Sequence, residues 1–129
     1  MKIGIEHIAV LAKDSKALAD WYVEMLGFEI VYDNGKGCYF VKADGGMMLE
    51  IFGADTEIAP TATGAWGMRH IALSLGCENC FNEAVTKIKE SGAEVITDVA
   101  TSASGVKTFF FRDLEGNILH FIYRPTPLC

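Results

Sequence analysis

The stretch IEHIAVLAKDSKALADWYVEMLGFEIVYD, at residues 5–33, decides the fold. Apolar residues alternate with other residues through positions 2–11, which predicts a strand with one buried face. Asp14 and Ser15 have the place of a helix N-cap, and Gly27 has the place of the C-terminal stop. Between them, apolar side chains recur with the spacing of one buried helical face: Leu18, Trp21, Tyr22 and Met25. The stretch therefore predicts a strand, a capped helix and the beginning of a second strand.

The remainder of the first half predicts three strands, at residues 29–33, 37–43 and 47–52. Asn34-Gly35 separates the first two, and Asp44-Gly45-Gly46 separates the last two. Both are strong hairpin turn signals. Residues 54–67 lack either periodicity and are rich in Ala, Thr, Gly and Pro, which predicts a connector.

The second half repeats the plan of the first. HIAVL at 7–11 corresponds to HIALS at 70–74, and LGFE at 26–29 corresponds to SGAE at 91–94. Its predicted elements are a strand at 68–75, a helix at 79–91 and strands at 94–97, 106–112 and 117–123. A duplicated unit explains this repetition. We expect an α+β fold with two βαβββ modules forming a curved mixed sheet, in a single domain with module one at 1–53, the connector at 54–67 and module two at 68–125.

Composition and charge exclude several classes of protein. Half of the 129 residues are hydrophobic and 22% are charged, as in ordinary globular domains. The net charge of −6 argues against a nucleic-acid partner, because phosphate attraction needs a basic surface. No apolar run reaches the roughly 20 residues of a membrane helix. The N-terminus lacks the features of a signal peptide, so we expect a cytoplasmic protein without membrane contact.

The four cysteines are Cys38, Cys77, Cys80 and Cys129. Without a secretory signal, their scattered positions favour reduced thiols over a disulfide framework. Cys77 and Cys80 form one CxxC at the beginning of a predicted helix. A single CxxC is weak evidence for metal or redox chemistry, so helix packing is the favoured interpretation and the role of the pair stays open.

Four residues form the candidate metal site. His7 and His70 occupy equivalent first strands, and Glu50 and His120 occupy equivalent last strands. The duplication therefore relates them as two pairs that a curved sheet could bring together. Glu50 is embedded in apolar residues, where a carboxylate is costly unless it is paired or bound to a metal. Three imidazoles and one carboxylate suit one divalent transition ion, with Zn or Ni favoured and Fe, Co or Mn possible.

Five segments carry a resemblance to a known superfamily: IEHIAVLAKD, WYVEMLGFEIV, MLEIF, MRHIALSL and FFFRDLEGNILHFI. Together they span nearly the whole chain. The sequence resembles the vicinal-oxygen-chelate superfamily, which includes glyoxalase I, extradiol dioxygenases and bleomycin-resistance proteins. This resemblance implies a glyoxalase-like fold, a small-molecule substrate and a homodimer.

The resemblance also implies a ligand set and an activity. The metal ligands of glyoxalase I follow a pattern similar to His, Glu, His, Glu, and His7, Glu50 and His70 match its first three places. The fourth place is His120, which removes one carboxylate from the reacting centre. The resemblance implies a metal-dependent, lactoylglutathione lyase-like lyase or isomerase acting on a small carbonyl substrate, with Glu50 as the base. Candidates for an apolar pocket wall are Phe52, Trp66, Met68, Phe109 and Phe111.

Two alternatives stay open. Two histidines and a carboxylate also form the ligand set of non-haem iron dioxygenases. The drug-binding, bleomycin-resistance-like members of the superfamily use the same shell without a metal. Three histidines at ligand positions favour a metalloenzyme over that binding module, because an aromatic groove needs none of them.

Overall fold

The computed structural model describes residues 1, 3–55 and 67–128. It divides into two compact units, within 1–59 and 60–129. The first unit contains β1 (His7–Ala12), α1 (Ser15–Leu26), β2 (Glu29–Asp33), β3 (Tyr39–Lys42) and β4 (Met48–Gly53). The second contains β5 (Ile71–Ser74), α2 (Glu78–Ser91), β6 (Val95–Thr101), β7 (Lys107–Arg112) and β8 (Ile118–Tyr123). The predicted α+β class and the two βαβββ modules are therefore confirmed, while the assignment to a single domain stays a prediction.

The described strands form two four-stranded mixed sheets, one in each unit. Their orders are β1-β4-β3-β2 and β5-β8-β7-β6. In each sheet the first strand pairs in parallel with the last strand, and the other neighbours are antiparallel. The last strand of each module is thus a central strand, beside the strand that opens the module.

Local sequence signals set the ends of α1. The Asp14 side chain accepts a hydrogen bond from the Ala17 amide at 3.0 Å, and Gly27 adopts the left-handed conformation with φ of 68°. Of the two predicted N-cap residues, Asp14 is the cap and Ser15 is the first residue of the helix; the predicted C-terminal stop at Gly27 is confirmed. The predicted buried face is confirmed only in part. Leu18 and Tyr22 are fully buried, whereas Trp21 and Met25 are half-buried.

Helix α1 packs against β3 and β4. Burial alternates along β4, because successive side chains of a strand point to opposite faces. Leu49 and Ile51 are buried in the core, while Met48, Glu50 and Phe52 are half-buried. Glu50 therefore lies on the face of the sheet that α1 does not cover.

The core of the second unit has the same construction. Helix α2 packs against β8 and buries Phe81, Val85 and Ile88. Phe109 and Phe111 of β7 stack with a centroid distance of 5.6 Å, and both are fully buried. Strand β8 adds Leu119 and Phe121 to this core. The side chains between these positions, on the opposite face of the sheet, include Phe110 and His120.

Two expectations need correction. The sequence predicts first strands that begin at residues 2 and 68, but β1 and β5 begin at His7 and Ile71. His70 therefore lies immediately before β5 and not within it. Cys77 and Cys80 are joined by a disulfide, whereas the sequence predicts reduced thiols, and Cys38 is a free thiol.

Among the described residues, no helix is both long and apolar enough to cross a membrane.

Candidate metal centre

The first unit brings His7 and Glu50 together. Nε2 of His7 lies 3.3 Å from Oε2 of Glu50. The parallel pairing of β1 with β4 sets Ala9 opposite Glu50, and His7 is two residues before Ala9 on the same face. Their side chains are 34% and 26% exposed, so the pair is open to solvent on one side.

The second unit brings His70 and His120 together. Nε2 of His70 lies 3.2 Å from Nδ1 of His120, and the two ring centroids are 4.9 Å apart. The parallel pairing of β5 with β8 sets Ala72 opposite His120, and His70 is two residues before Ala72. This register repeats that of the first unit, so the sequence duplication extends to the geometry of the candidate ligands.

An aromatic residue completes each pair. Phe40 lies opposite Glu50 on β3, and its ring centroid is 5.4 Å from that of His7. Phe110 lies opposite His120 on β7, and its centroid is 5.4 Å from that of His70 and 4.3 Å from that of His120. The contacts of His7 with Phe40 and of His70 with Phe110 are edge contacts, and the contact of His120 with Phe110 is tilted. Ring contacts of this kind restrict how each imidazole can turn.

The electrostatic surroundings keep the second pair neutral. Burial, more than the charges of His70, Arg69 and Arg124, lowers the pKa of His120 to about 4. Burial and then the charge of Arg69 lower the pKa of His70. A metal binds the neutral imidazole, so at neutral pH both rings have a nitrogen lone pair available without losing a proton.

Several buried histidine nitrogens have no hydrogen-bond partner among the described residues. They are Nδ1 of His7, Nδ1 of His70 and Nε2 of His120. The Glu6 carboxylate is 3.5 Å from Nδ1 of His7, without hydrogen-bond geometry. An unpaired buried nitrogen costs free energy. Coordination to an ion is one way to satisfy such an atom.

Each pair by itself has donors that suit a divalent transition ion. The pair in the first unit has one imidazole and one carboxylate, and the pair in the second unit has two imidazoles. Within the part of the chain that the structure describes, His, Cys, Asp and Glu form no metal-binding group of three or more. The structure thus brings together two pairs, and the complete set of four ligands stays a prediction.

A pocket of about 520 Å³ borders Glu50 in the first unit. The Cys38 thiol donates a hydrogen bond to Oε1 of Glu50, with 3.7 Å between the two atoms. Burial and then the negative charge of Glu50 raise the pKa of Cys38. Other residues lining the pocket are Val31, Tyr32, Asn34, Phe40 and Met48.

These lining residues are not among the predicted pocket residues, which include none from the β2–β3 hairpin. A signal was present. Asn34-Gly35 predicts the hairpin, and its pairing onto β4 brings Phe40 beside Glu50. Arg69 was missed as well, although it adjoins His70 in the sequence; its guanidinium lies 5.8 Å from the Phe110 ring centroid.

The predicted pocket residues have different locations. Phe52 lies on the same face of β4 as Glu50 and is half-buried, and Met68 is 52% exposed. Phe109 and Phe111 belong to the core, because their side chains point to the face that α2 covers. Phe110, between them, is the residue beside the histidine pair. Trp66 lies outside the described residues.

Known proteins resemble the chain in sequence and structure. The protein named YwkD of Bacillus subtilis (strain 168), described as uncharacterized, is 30% identical over 84% of this chain and 88% of its own length. Biphenyl-2,3-diol 1,2-dioxygenase 2 of Rhodococcus globerulus is 25% identical over 88% of this chain, which spans only 58% of that protein. The crystal structure of lactoylglutathione lyase from Agrobacterium tumefaciens aligns with a TM-score of 0.71 at 23% identity, covering 95% of this chain and 94% of that one.

A family-level match covers almost the whole sequence. The Glyoxalase/Bleomycin resistance protein/Dioxygenase superfamily matches residues 4–121, which include both candidate pairs. The resemblance in sequence is thereby confirmed, and so is the glyoxalase-like fold. The chain belongs to the Glyoxalase/Bleomycin resistance protein/Dioxygenase superfamily.

Proposed function

We propose that His7, Glu50, His70 and His120 together bind one divalent metal ion, in a glyoxalase-like lyase or isomerase of a small carbonyl substrate. The observation that carries the proposal is the His70–His120 pair. Nε2 of His70 is 3.2 Å from Nδ1 of His120, and the pKa values of both rings are lowered. The facing nitrogens, Nε2 of His70 and Nδ1 of His120, are close enough together to bind one ion, and a metal binds the neutral form of imidazole. Zn or Ni is the favoured ion, with Fe, Co or Mn as alternatives.

The two oxygens of Glu50 have different surroundings, and this difference suggests their roles. Oε2 lies beside His7, which is the other proposed ligand in the same unit. Oε1 accepts the Cys38 hydrogen bond at the edge of the pocket. We assign Oε2 to metal binding and Oε1 to removal of a proton from the carbon next to the substrate carbonyl. When bound, the ion would polarise that carbonyl oxygen as a Lewis acid.

The pocket supports a small, partly apolar substrate. Its volume of about 520 Å³ is within the range of small-molecule sites. Tyr32, Phe40 and Met48 supply apolar surface, and Asn34 and Cys38 supply polar groups. A substrate bound there would have its reacting carbon near Oε1 of Glu50.

A dioxygenase is the second candidate, because the chain resembles Biphenyl-2,3-diol 1,2-dioxygenase 2 across 88% of its length. Two histidines and a carboxylate would suit ferrous iron. The chain departs from the ligand pattern of the dioxygenases in its closing strand, which has His120 where the resemblance implies a carboxylate. Oxygen consumption by the ferrous protein with a catechol would favour this activity over isomerisation.

Two further features belong to the proposal. The superfamily resemblance implies a homodimer, and the proposed ion could be bound within one chain or between two. Light scattering after size-exclusion chromatography measures the oligomeric state. The cytoplasmic location also stays a prediction, which fractionation of the source cells would test.

Metal content provides the first test. Elemental mass spectrometry on tag-free protein should find about one ion per chain in wild type and much less in His7→Ala and His120→Ala, since four-ligand sites depend on each ligand. Glu6→Gln is the matched control, because Glu6 is next to His7 but 72% exposed. The metal-loaded protein is then assayed with small 2-oxoaldehydes and hydroxyketones.

The opposite result is equally informative. Protein that takes up no ion after incubation with zinc, nickel, cobalt, manganese or ferrous iron would overturn the metalloenzyme. Stoichiometric binding of an aromatic drug by that metal-free protein would then favour a bleomycin-resistance-like binding module.

A further inference from the structure

The disulfide between Cys77 and Cys80 has no part in the proposed metal chemistry. The two Cα atoms are 5.1 Å apart, and the bond joins residues at the beginning of α2. Cys77 is the N-cap of this helix, and its Sγ accepts a hydrogen bond from the Cys80 amide at 3.0 Å. One sulfur of the disulfide is therefore held at the positive end of the helix.

The pair does not belong to the core. Helix α2 buries Phe81, Val85 and Ile88, whereas Cys77 is half-exposed and Cys80 is exposed. The CxxC thus lies outside the buried face of α2, and Cys77 contributes to the helix as its N-cap. A crosslink between residues only three apart also restricts the unfolded chain less than one that closes a long loop. Neither packing nor chain entropy accounts well for this disulfide.

The surroundings favour a thiolate on Cys77. A cysteine at a helix N-terminus has a lowered pKa in general, because backbone N–H groups stabilise the negative charge. The nearest acidic residue in the sequence, Glu78, forms an ion pair with Lys107 of β7. Its negative charge is thus partly compensated and opposes a thiolate on Cys77 less than an unpaired carboxylate would.

We propose that Cys77 and Cys80 form a reversible dithiol–disulfide site that exchanges with small thiols. A thiolate RS⁻ attacks Sγ of the exposed Cys80, the Cys77–Cys80 bond breaks, and Cys77 leaves as a thiolate that accepts the Cys80 amide hydrogen bond. A second RS⁻ attacks the sulfur of the bound thiol in the mixed disulfide and releases Cys80 as a thiolate. One protein disulfide and two RSH thereby give one protein dithiol and one RSSR.

The site is separate from the histidine pair. Helix α2 packs on the face of the sheet formed by Leu119 and Phe121, and the adjacent His120 points to the other face. Reduction of the disulfide should therefore leave the metal content of the protein unchanged.

Glutathione is the probe, and wild-type protein is the first sample. The protein is equilibrated in millimolar mixtures of reduced and oxidised glutathione, quenched with acid, alkylated and digested. Peptide mass spectrometry separates Cys77 and Cys80 from Cys38 and Cys129. We expect Cys77 and Cys80 to become reduced as the ratio of reduced to oxidised glutathione rises. They should become oxidised again when that ratio is lowered. A disulfide that stays fully oxidised in excess reduced glutathione overturns the proposal.

Single variants test which sulfur is the leaving group. In Cys80→Ser, iodoacetamide at about pH 7 should alkylate Cys77 roughly tenfold faster than it alkylates Cys80 in Cys77→Ser, because a lowered pKa raises the thiolate fraction. Serine is itself a good N-cap, so Cys77→Ser keeps the helix cap. With oxidised glutathione, Cys77→Ser should form a mixed disulfide on Cys80. Equal alkylation rates in the two variants would contradict the assigned direction of exchange, whereas the wild-type equilibration tests exchange itself.

Discussion

Nε2 of His70 lies 3.2 Å from Nδ1 of His120, and Arg69 adds a positive charge beside the pair. Two imidazolium ions at this distance would repel each other. Burial is the main cause that lowers the pKa of both rings, and the charge of Arg69 lowers both further. The charge of His70 also contributes at His120, whose pKa falls to about 4. The same arrangement that leaves nitrogen lone pairs available should make the metal-free protein sensitive to acid.

We expect the free energy of unfolding of metal-free protein to decrease as the pH falls from about 6.5 to about 4. In this window the unfolded state binds a proton at His120 and the folded state does not, so acid favours the unfolded state. The contribution is on the order of 2 kcal/mol after allowance for solvent screening.

Urea denaturation in EDTA at several pH values measures this effect. The control is His120→Gln, which removes the titrating ring and keeps a polar group. The variant should lose less stability over the window than wild type. Parallel pH profiles for the two proteins would show that His120 does not titrate as described.

Glu50→Gln should weaken metal binding by roughly tenfold to a hundredfold or more, because the amide oxygen carries no full negative charge. The proposed isomerase activity should also be lost, since the neutral amide of the variant could not accept a proton. Glu6→Gln should leave both properties near wild type, because Glu6 is largely exposed. Competition with a metal-binding dye gives the affinities. Equal losses in the two variants would indicate a general effect of negative charge near His7.

Adjacent phenylalanines of β7 should differ in their effects. Phe109→Ala removes a fully buried ring and should lower the free energy of unfolding by about 3–5 kcal/mol. Phe110→Ala should cost less stability, because Phe110 is half-buried, but it should lower metal affinity by removing the ring beside His70 and His120. Urea denaturation and metal titration of both variants separate the two roles. A larger loss of metal affinity in Phe109→Ala, at a temperature where it stays folded, would contradict this assignment.

Asp14→Ala should destabilise the protein by about 1 kcal/mol, because the Ala17 amide loses its capping acceptor. Asp20→Ala is the matched control on the same helix. It removes only an exposed i,i+4 ion pair with Lys16, which is worth a few tenths of a kcal/mol. Thermal unfolding by circular dichroism compares the two. A destabilisation in Asp20→Ala as large as that in Asp14→Ala would argue against the cap.

Local patterns in the chain were enough to predict the order of elements. The caps of α1 at Asp14 and Gly27, the hairpin turn at Asn34-Gly35 and the repeated HIA motifs depend on residues close in sequence. Each such signal expresses a backbone preference that acts within one turn or one strand. For that reason the two βαβββ modules could be predicted from the residues alone.

The tertiary structure decided which side chains meet. The run Phe109-Phe110-Phe111 has no apolar alternation, so its sequence cannot tell which ring faces α2 and which faces His120. Strand pairing settles this, because a shift of one residue exchanges the two faces. The pairing of β1 with β4 sets Ala9 opposite Glu50, so that Glu50 lies near His7, two residues before Ala9. The pairing of β5 with β8 likewise sets Ala72 opposite His120, so that His120 lies near His70. Contacts between distant segments depend on this register and on burial, which local sequence preferences do not encode.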